Sequence, residues 1–264
     1  MTGKLRIIYL AMVITPVTMV LAPLQYLLVR FAANYSGKIP MLWHRMILHL
    51  AGVKVKVQGE VARETPLMIV SNHISWLDII VLGSVAELSF ISKHEVDELP
   101  GANWLARLQR TVFIVRDKRR EAGKQAREIT DRLLAGDTMV LFAEGTTGDG
   151  HHVMDFKSAL FGAAQYAVEE SKQDQVYIQP VALAYTGLHG ITMARHERIN
   201  AAWTGDMDLG PHVSRFLKRS GWQVTVTIGD PIGFDGSKKR RAVAGEVHAE
   251  VRKLFHSNLG RQAN

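Results

Sequence analysis

The sequence predicts an α/β fold, a mixed, largely parallel sheet covered by helices, with an N-terminal membrane-associated helical segment. Short apolar runs typical of buried strands alternate with segments of helical spacing after residue 50. An uncharged apolar run, Ile7–Val29, precedes them. No internal repeat and no long linker divide the chain. We therefore expect an N-terminal segment at residues 1–50 and one folded domain at residues 51–264.

The apolar run is long enough to cross a hydrocarbon core of roughly 30 Å as a helix. Pro16 and Pro23 disfavour one straight helix. The sequence therefore leaves open a kinked span and a shallow hairpin that returns to the same face. A cleaved signal peptide is a weaker alternative, because the run is long and no small-x-small site closes it. Ile39–Leu50 fits either a helix at the lipid headgroups or a core helix.

The remaining elements follow in order along the chain. Apolar runs predict strands at Val53–Val57, Leu67–Val70, Phe90–Ile91, Val112–Val115, Met139–Phe142, Val176–Ala184 and Val224–Ile228. Helical spacing predicts helices at Ser75–Leu82, Arg119–Leu134, Ser158–Glu169 and Ala242–Phe255.

Composition narrows the chemistry. The formal net charge of +7 favours anionic partners such as phosphates or an acidic membrane surface. We find no recognisable nucleic-acid-binding module, and so we expect no nucleic-acid partner. The chain has no cysteine, which excludes disulfides, thiolate catalysis and cysteine-ligated zinc.

The candidate catalytic pair is His73 and Asp78, in the segment Ser71–Asp78. Five residues put the two side chains on different faces of one continuous helix. They can meet if His73 lies in a turn and Asp78 in the first helical turn, with Ser75 as N-cap. A carboxylate beside the imidazole fixes its tautomer, so that the histidine can deprotonate an alcohol. Ser75-x-x-Asp78 also fits a capping box, in which Asp78 is only structural.

Asn72-His73-x4-Asp78 after a strand resembles the first motif of the glycerolipid acyltransferases, the family of bacterial 1-acylglycerol-3-phosphate acyltransferase. Thr111–Arg116 resembles the second motif, a strand ending in an arginine, although Arg110 stands where the family usually has glycine. Leu141–Thr146 resembles the third motif, Phe-Pro-Glu-Gly-Thr-Arg.

The third motif departs from the family at two positions. Ala143 replaces the proline, and Thr147 replaces the arginine. Losing the arginine removes a candidate phosphate contact, which Lys157 can replace. Two weaker matches are Ile91-Ser92-Lys93, similar to the family's lysine segment, and Ile178–Val181, similar to its fourth motif, in which Pro180 shapes the acyl pocket.

The resemblance covers residues 53–184 and implies an enzyme that moves an acyl chain from acyl-CoA or acyl carrier protein to a lysolipid hydroxyl. It implies His73 and Asp78 as catalytic residues, with no metal or prosthetic group. The substrate-binding residues that it implies are Lys93, Arg116, Glu144, Gly145, Thr146 and Lys157.

The acceptor expected first is 1-acylglycerol 3-phosphate, which would give phosphatidic acid. A phosphate-free lysolipid such as lyso-ornithine lipid is the alternative that Thr147 favours. The sequence also leaves open a catalytically silent lipid-binding module and a secreted hydrolase, although the chain lacks the Gly-x-Ser-x-Gly elbow of many hydrolases. We expect membrane lipids as partners and a bacterial inner-membrane location with the catalytic domain on the cytoplasmic face.

One histidine-rich segment and one basic segment can each be interpreted without a metal site or a nucleic-acid partner. His151, His152 and Asp155 can suggest a metal site with Asp149, but the adjoining glycines indicate a solvated loop. Residues 238–241, Lys-Lys-Arg-Arg, fit a solvated helix start or a contact with anionic lipid.

Overall fold

The computed structural model describes residues 3–98, 101–114, 119–170, 175–204 and 207–260. Its α-helices, in chain order, are α1 Gly3–Phe31, α2 Lys38–Leu50, α3 Leu77–Val85, α4 Ala102–Leu108, α5 Arg119–Leu134, α6 Gly162–Glu170, α7 Arg195–Arg198, α8 Leu209–Leu217 and α9 Arg240–Gly260. Its strands are β1 Val53–Gln58, β2 Leu67–Ser71, β3 Ser89–Lys93, β4 Val112–Ile114, β5 Met139–Phe142, β6 Val176–Leu188, β7 Ile191–Thr192, β8 Trp222–Ile228 and β9 Ile232–Phe234.

Within the described residues, the strands form one mixed sheet in the order β1-β8-β6-β2-β5-β3-β4, with β7 and β9 paired to β6. Strand β2 runs parallel to β5 and β6, and β3 runs parallel to β4 and β5. Strands β1 and β8 are also parallel, whereas β6 is antiparallel to β7, β8 and β9. The prediction of a mixed, largely parallel sheet is therefore confirmed.

Helices cover this sheet and complete one apolar core. Every residue of β2 and β5 is buried, which explains why these strands are continuously apolar. Helix α9 packs against β6 and β8, and α5 packs against α6 and β5. Helix α2 packs against α3, and its residues His44, Ile47 and Leu48 are buried. One face of α2 is therefore a core face, as one of the two interpretations of Ile39–Leu50 required.

The strand register brings the first and third motifs together. Ser71, the last residue of β2, pairs with Phe142, the last residue of β5. His73 and Glu144 each lie two residues beyond this pair, and so the two loops are neighbours. The carboxyl ends of parallel strands form the edge at which open α/β sheets bind ligands.

The N-terminal apolar run forms one continuous helix, α1, through Pro16 and Pro23. Of the two alternatives that the sequence left open, the continuous helix contradicts the shallow hairpin. Each proline removes only one backbone hydrogen bond, and the bonds of its neighbours continue the helix. By length and composition α1 can cross a membrane, and only 11% of its apolar window is buried against the rest of the chain.

The structure corrects several other sequence expectations. Helix α3 begins at Leu77 rather than Ser75, and the short elements α4, α7, α8, β7 and β9 were not predicted. Arg110, which replaces the family's glycine, adopts a left-handed φ of 59°. Its guanidinium pairs with Asp137 at 3.0 Å, which holds a conformation that otherwise disfavours a side chain.

Candidate active site

His73 and Asp78 meet as the sequence predicts. His73 lies in the loop between β2 and α3, and Asp78 lies in the first turn of α3. The distance from His73 Nδ1 to Asp78 Oδ2 is 2.9 Å. The Asp78 side chain is fully buried, whereas 15% of the His73 side chain is exposed. Because a carboxylate can only accept, Nδ1 carries the proton, and Nε2 is the basic nitrogen.

Three further donors fix the Asp78 carboxylate. Oδ2 accepts the backbone N–H groups of Ile74 at 2.6 Å and Ser75 at 2.9 Å. Oδ1 accepts the hydroxyl of Tyr185 at 2.8 Å. The Ser75 side chain does not cap α3, so the prediction of Ser75 as N-cap is wrong. Asp78 instead accepts from the backbone of the turn, which is a structural role, and its catalytic role stays a prediction.

Tyr185 was not identified from the sequence. It lies on β6, 107 residues from Asp78, and is almost fully buried. Burial, followed by the nearby charge of Asp78, raises the pKa of the Tyr185 hydroxyl well above its ordinary value. The hydroxyl therefore stays protonated and donates. The available signal was a tyrosine within a segment predicted to be a buried strand, since a buried tyrosine hydroxyl usually has a partner.

The third motif supports His73 from a second side. The ring of Phe142 stacks on the His73 imidazole, with centroids 4.0 Å apart and planes at 15°. Glu144 accepts the backbone N–H of His73 on Oε2 at 3.3 Å and the N–H of Met154 on Oε1 at 3.1 Å. Only 2% of Glu144 is exposed. These contacts show that Glu144 holds the loop, and the substrate-binding role that the resemblance implies for it stays a prediction.

Burial has a chemical consequence for Glu144. It raises the pKa of this carboxyl to about 8, although the hydrogen bonds from Met154 and His73 act in the opposite direction. The nearby charges of Asp78 and Asp149 raise the pKa further. Glu144 is therefore mostly protonated at neutral pH, and so does not compete with Asp78 as a negative charge beside the imidazole.

The loop after β5 is fastened to the His73 loop. Gly145 has a left-handed φ of 74°, which only glycine adopts without strain and which turns the chain after Glu144. Further along, the N–H of Gly148 donates to the His73 carbonyl at 2.7 Å. The hydroxyl of Thr147 donates to the carbonyl of Trp203.

The remaining candidate residues lie around this centre. Lys93 ends β3 at the same sheet edge, and Thr146 and Lys157 are exposed. Arg116 lies outside the described residues. Pro180 is buried in β6 beside Val70, at the point where the antiparallel neighbour of β6 changes from β9 to β8. The binding roles of these residues and the acyl-pocket role of Pro180 stay predictions.

The histidine-rich loop forms local contacts. Asp149 Oδ1 accepts the N–H of His151 at 2.9 Å and lies 3.4 Å from Nδ1 of His152. Among the described residues, no group of three histidines or carboxylates has an arrangement that could hold a metal ion.

The arrangement can take a proton from an alcohol at His73 Nε2. Asp78 holds the proton on Nδ1 and stabilises the positive imidazolium. The N–H groups of His73, Ile74 and Ser75 are already engaged by Glu144 and Asp78. A donor that stabilises the oxyanion of the transfer step must therefore be a group other than these three.

Comparison with known proteins agrees with this chemistry. The family model described as Acyltransferase matches residues 53–184. Over 259 residues the chain is 41% identical to a lyso-ornithine lipid O-acyltransferase of Brucella abortus (strain 2308), covering 98% of this chain and 97% of that protein. The chain belongs to the acyltransferase family.

This acyltransferase also has more distant relatives. It is 34% identical over 137 residues to a 1-acyl-sn-glycerol-3-phosphate acyltransferase of Neisseria gonorrhoeae, which covers 49% of this chain and 54% of that protein. The crystal structure of the 1-acyl-sn-glycerophosphate acyltransferase PlsC from Thermotoga maritima superposes with a TM-score of 0.66 over 97% of both chains, at 20% identity. At this identity the likeness shows the shared fold alone.

Proposed function

We propose that this acyltransferase moves a fatty acyl chain from an acyl thioester, acyl-CoA or acyl carrier protein, to the free hydroxyl of lyso-ornithine lipid. The observation that carries the proposal is the extent of similarity. The relative named for lyso-ornithine lipid matches 98% of the chain, whereas the one named for 1-acyl-sn-glycerol 3-phosphate matches 49%. The acceptor that the sequence analysis placed second therefore becomes the first choice.

The third motif supports the same acceptor. Thr147 stands where the family resemblance expects an arginine, and its hydroxyl donates to the Trp203 carbonyl. This side chain is therefore part of the internal structure of the site and brings no positive charge for a phosphate. An acceptor without phosphate does not need that charge.

The chemical step that we propose is a direct transfer. Nε2 of His73 takes the proton of the acceptor hydroxyl as its oxygen attacks the thioester carbonyl carbon. Asp78, held by Ile74, Ser75 and Tyr185, stabilises the imidazolium. The tetrahedral intermediate then breaks its carbon–sulfur bond, and the imidazolium returns the proton to the leaving sulfur. The products are the ester and the free thiol.

We propose that α1 lies along the cytoplasmic leaflet of the inner membrane. Near its start, Arg6 Nε donates to the carbonyl of Leu217 at 2.9 Å. Near its end, Gln25 Nε2 donates to the carbonyl of Leu108 at 2.7 Å. These anchors lie about 29 Å apart along a helix that rises 1.5 Å per residue. A helix tied to the folded domain at both ends keeps both ends on one side of the bilayer.

The exposed side of α1 is suited to lipid. It presents the large apolar side chains of Leu5, Ile8, Met12, Met19, Val20, Leu24, Leu27 and Phe31. Because the chain has no cysteine, Lys4→Cys provides a single labelling site. A membrane-impermeant maleimide is expected to label it only from the cytoplasmic side, and labelling from the periplasmic side would contradict this placement.

The acceptor is tested with purified protein in mixed micelles, offered acyl-CoA or acyl carrier protein and equal amounts of lyso-ornithine lipid and 1-acylglycerol 3-phosphate. We expect ornithine lipid as the main product with at least one donor. Phosphatidic acid as the main product would contradict the proposed acceptor but retain acyl transfer. No product from either acceptor would favour a silent lipid-binding module.

A further inference from the structure

Arg198, at the end of α7, lies beside the catalytic loops although no motif contains it. The segment after α7 is hydrogen-bonded to both loops, because the N–H of Trp203 donates to the Ile74 carbonyl at 2.9 Å and Thr147 donates to the Trp203 carbonyl. A Cβ atom placed on Gly150 would lie 3.3 Å from Ile74 Cγ2 and 3.9 Å from Arg198 Cβ. The stem of Arg198 and the side chain of Ile74, the residue that follows His73, thus both lie close to Gly150.

The guanidinium of Arg198 is incompletely satisfied. Its Nε is buried and has no hydrogen-bond partner, and its Nη2 makes only a long contact of 3.5 Å to the Met193 carbonyl. Among the described residues, no carboxylate lies within ion-pair distance of it. Burial, followed by the charge of Arg195, lowers the pKa of Arg198. A partly buried cation without an acid is stabilised by an incoming anion.

The acceptor of the proposed function supplies such an anion. Ornithine has one carboxyl group and two amino groups, and an amide to one amino group leaves the carboxylate free. An arginine fork matches a carboxylate with two parallel hydrogen bonds. The other cations near the loops fit less well, because Lys157 is exposed and Lys93 ends β3, two strands from β2.

We propose that Arg198 binds the free carboxylate of the lyso-ornithine acceptor and so determines headgroup specificity. This inference rests on the proposed function. In this chain, Thr147 fastens the segment that carries Arg198 to the catalytic loop, at the position where the third motif otherwise has its own arginine. The cation comes from α7 instead, beside the loop that contains Gly150, and in this proposal it orients an acceptor whose hydroxyl reaches His73.

The test compares two acceptors, lyso-ornithine lipid and its carboxyl methyl ester, with the wild type, Arg198→Gln and Arg195→Gln. Arg195 is the matched control, an exposed arginine on the same short helix. We expect Arg198→Gln to lower kcat/KM for the free carboxylate by about 10- to 100-fold, as for loss of a charged hydrogen bond. On the methyl ester it should change kcat/KM about twofold or less, as should Arg195→Gln on both acceptors.

Two results would overturn the role assigned to Arg198 and leave the proposed function intact. One is Arg198→Gln activity equal to the wild type on the free carboxylate. The other is an equal loss of kcat/KM on both acceptors, which would indicate a structural role for Arg198. Circular dichroism and the melting temperature identify a misfolded variant. Arg198→Lys, which keeps the positive charge, is a second test. A wild type that acylates 1-acylglycerol 3-phosphate but not lyso-ornithine lipid would instead overturn the proposed function, and the carboxylate assignment with it.

Discussion

Replacing Glu144 by glutamine is expected to remove a pH-dependent part of the free energy of unfolding. Burial raises the pKa of this carboxyl from 4.5 to about 8. Between these values the folded state holds a proton that the unfolded state has lost. The stabilisation is therefore complete below about pH 4.5 and is lost as the pH rises through about 8.

The size of the effect follows from one proton. Inside this window, the free energy of unfolding of the wild type should fall relative to Glu144→Gln by about 1.4 kcal/mol per pH unit, or about 3 kcal/mol from pH 5.5 to 7.5. The glutamine variant also carries a constant penalty of about 1–3 kcal/mol, because an amide cannot accept from both His73 N–H and Met154 N–H. The free energy of unfolding of the wild type minus that of the variant therefore decreases with rising pH and reaches zero or changes sign within this window.

The assay is unfolding in detergent micelles at pH 5.5, 6.5 and 7.5, followed by circular dichroism. At roughly 2–4 °C per kcal/mol, the melting temperature of the wild type minus that of Glu144→Gln should fall by about 5–10 °C from pH 5.5 to 7.5. Glu169→Gln is the control, since Glu169 is exposed and its replacement should leave the pH dependence unchanged. A gap for Glu144→Gln that stays constant from pH 5.5 to 7.5 would refute the reasoning from burial.

Two further substitutions test the supports of the catalytic pair. Tyr185→Phe removes the hydroxyl that donates a hydrogen bond to Asp78. It is expected to lower the free energy of unfolding by about 1.5–3 kcal/mol and kcat by about tenfold. Tyr177→Phe is its control, and an unchanged kcat of Tyr185→Phe would count against a positioning role. Gly145→Ala places a side chain at φ 74° and should cost about 1–2 kcal/mol, measured by urea unfolding. Gly123→Ala, in open space on α5, should raise the free energy of unfolding by about 0.5–1 kcal/mol, because alanine favours a helix more than glycine does. Equal stability of both variants would show that the turn tolerates a side chain.

The sequence was sufficient for the parts of the site that are local. His73 and Asp78 are only five positions apart in the chain. They meet because a turn follows the strand that ends at Ser71 and a helix begins just before Asp78. The contacts made by Tyr185 and Arg198 were not predictable, because they depend on how β6 and α7 lie against a loop more than 100 residues earlier. Spacing along the chain carries no information about such contacts.

At Glu144 and at the two prolines of α1, the local sequence pattern fits two structures equally well. A glutamate after a strand fits an acceptor ligand and a loop support equally well, and only the register of β2 against β5 places Glu144 under the His73 backbone. Similarly, Pro16 and Pro23 disfavour a straight helix, yet α1 is continuous because its remaining backbone hydrogen bonds outweigh the two that are lost.

The central claim is that His73 is the base of the acyl transfer. It is tested most directly by kcat/KM for His73→Ala, with the acceptor and donor that the wild type uses, beside His152→Ala as an exposed-histidine control. We expect a loss of about 10²- to 10⁴-fold for His73→Ala with an unchanged circular dichroism spectrum, and activity within about twofold of wild type for His152→Ala. A correctly folded His73→Ala enzyme with nearly wild-type kcat/KM would contradict the claim.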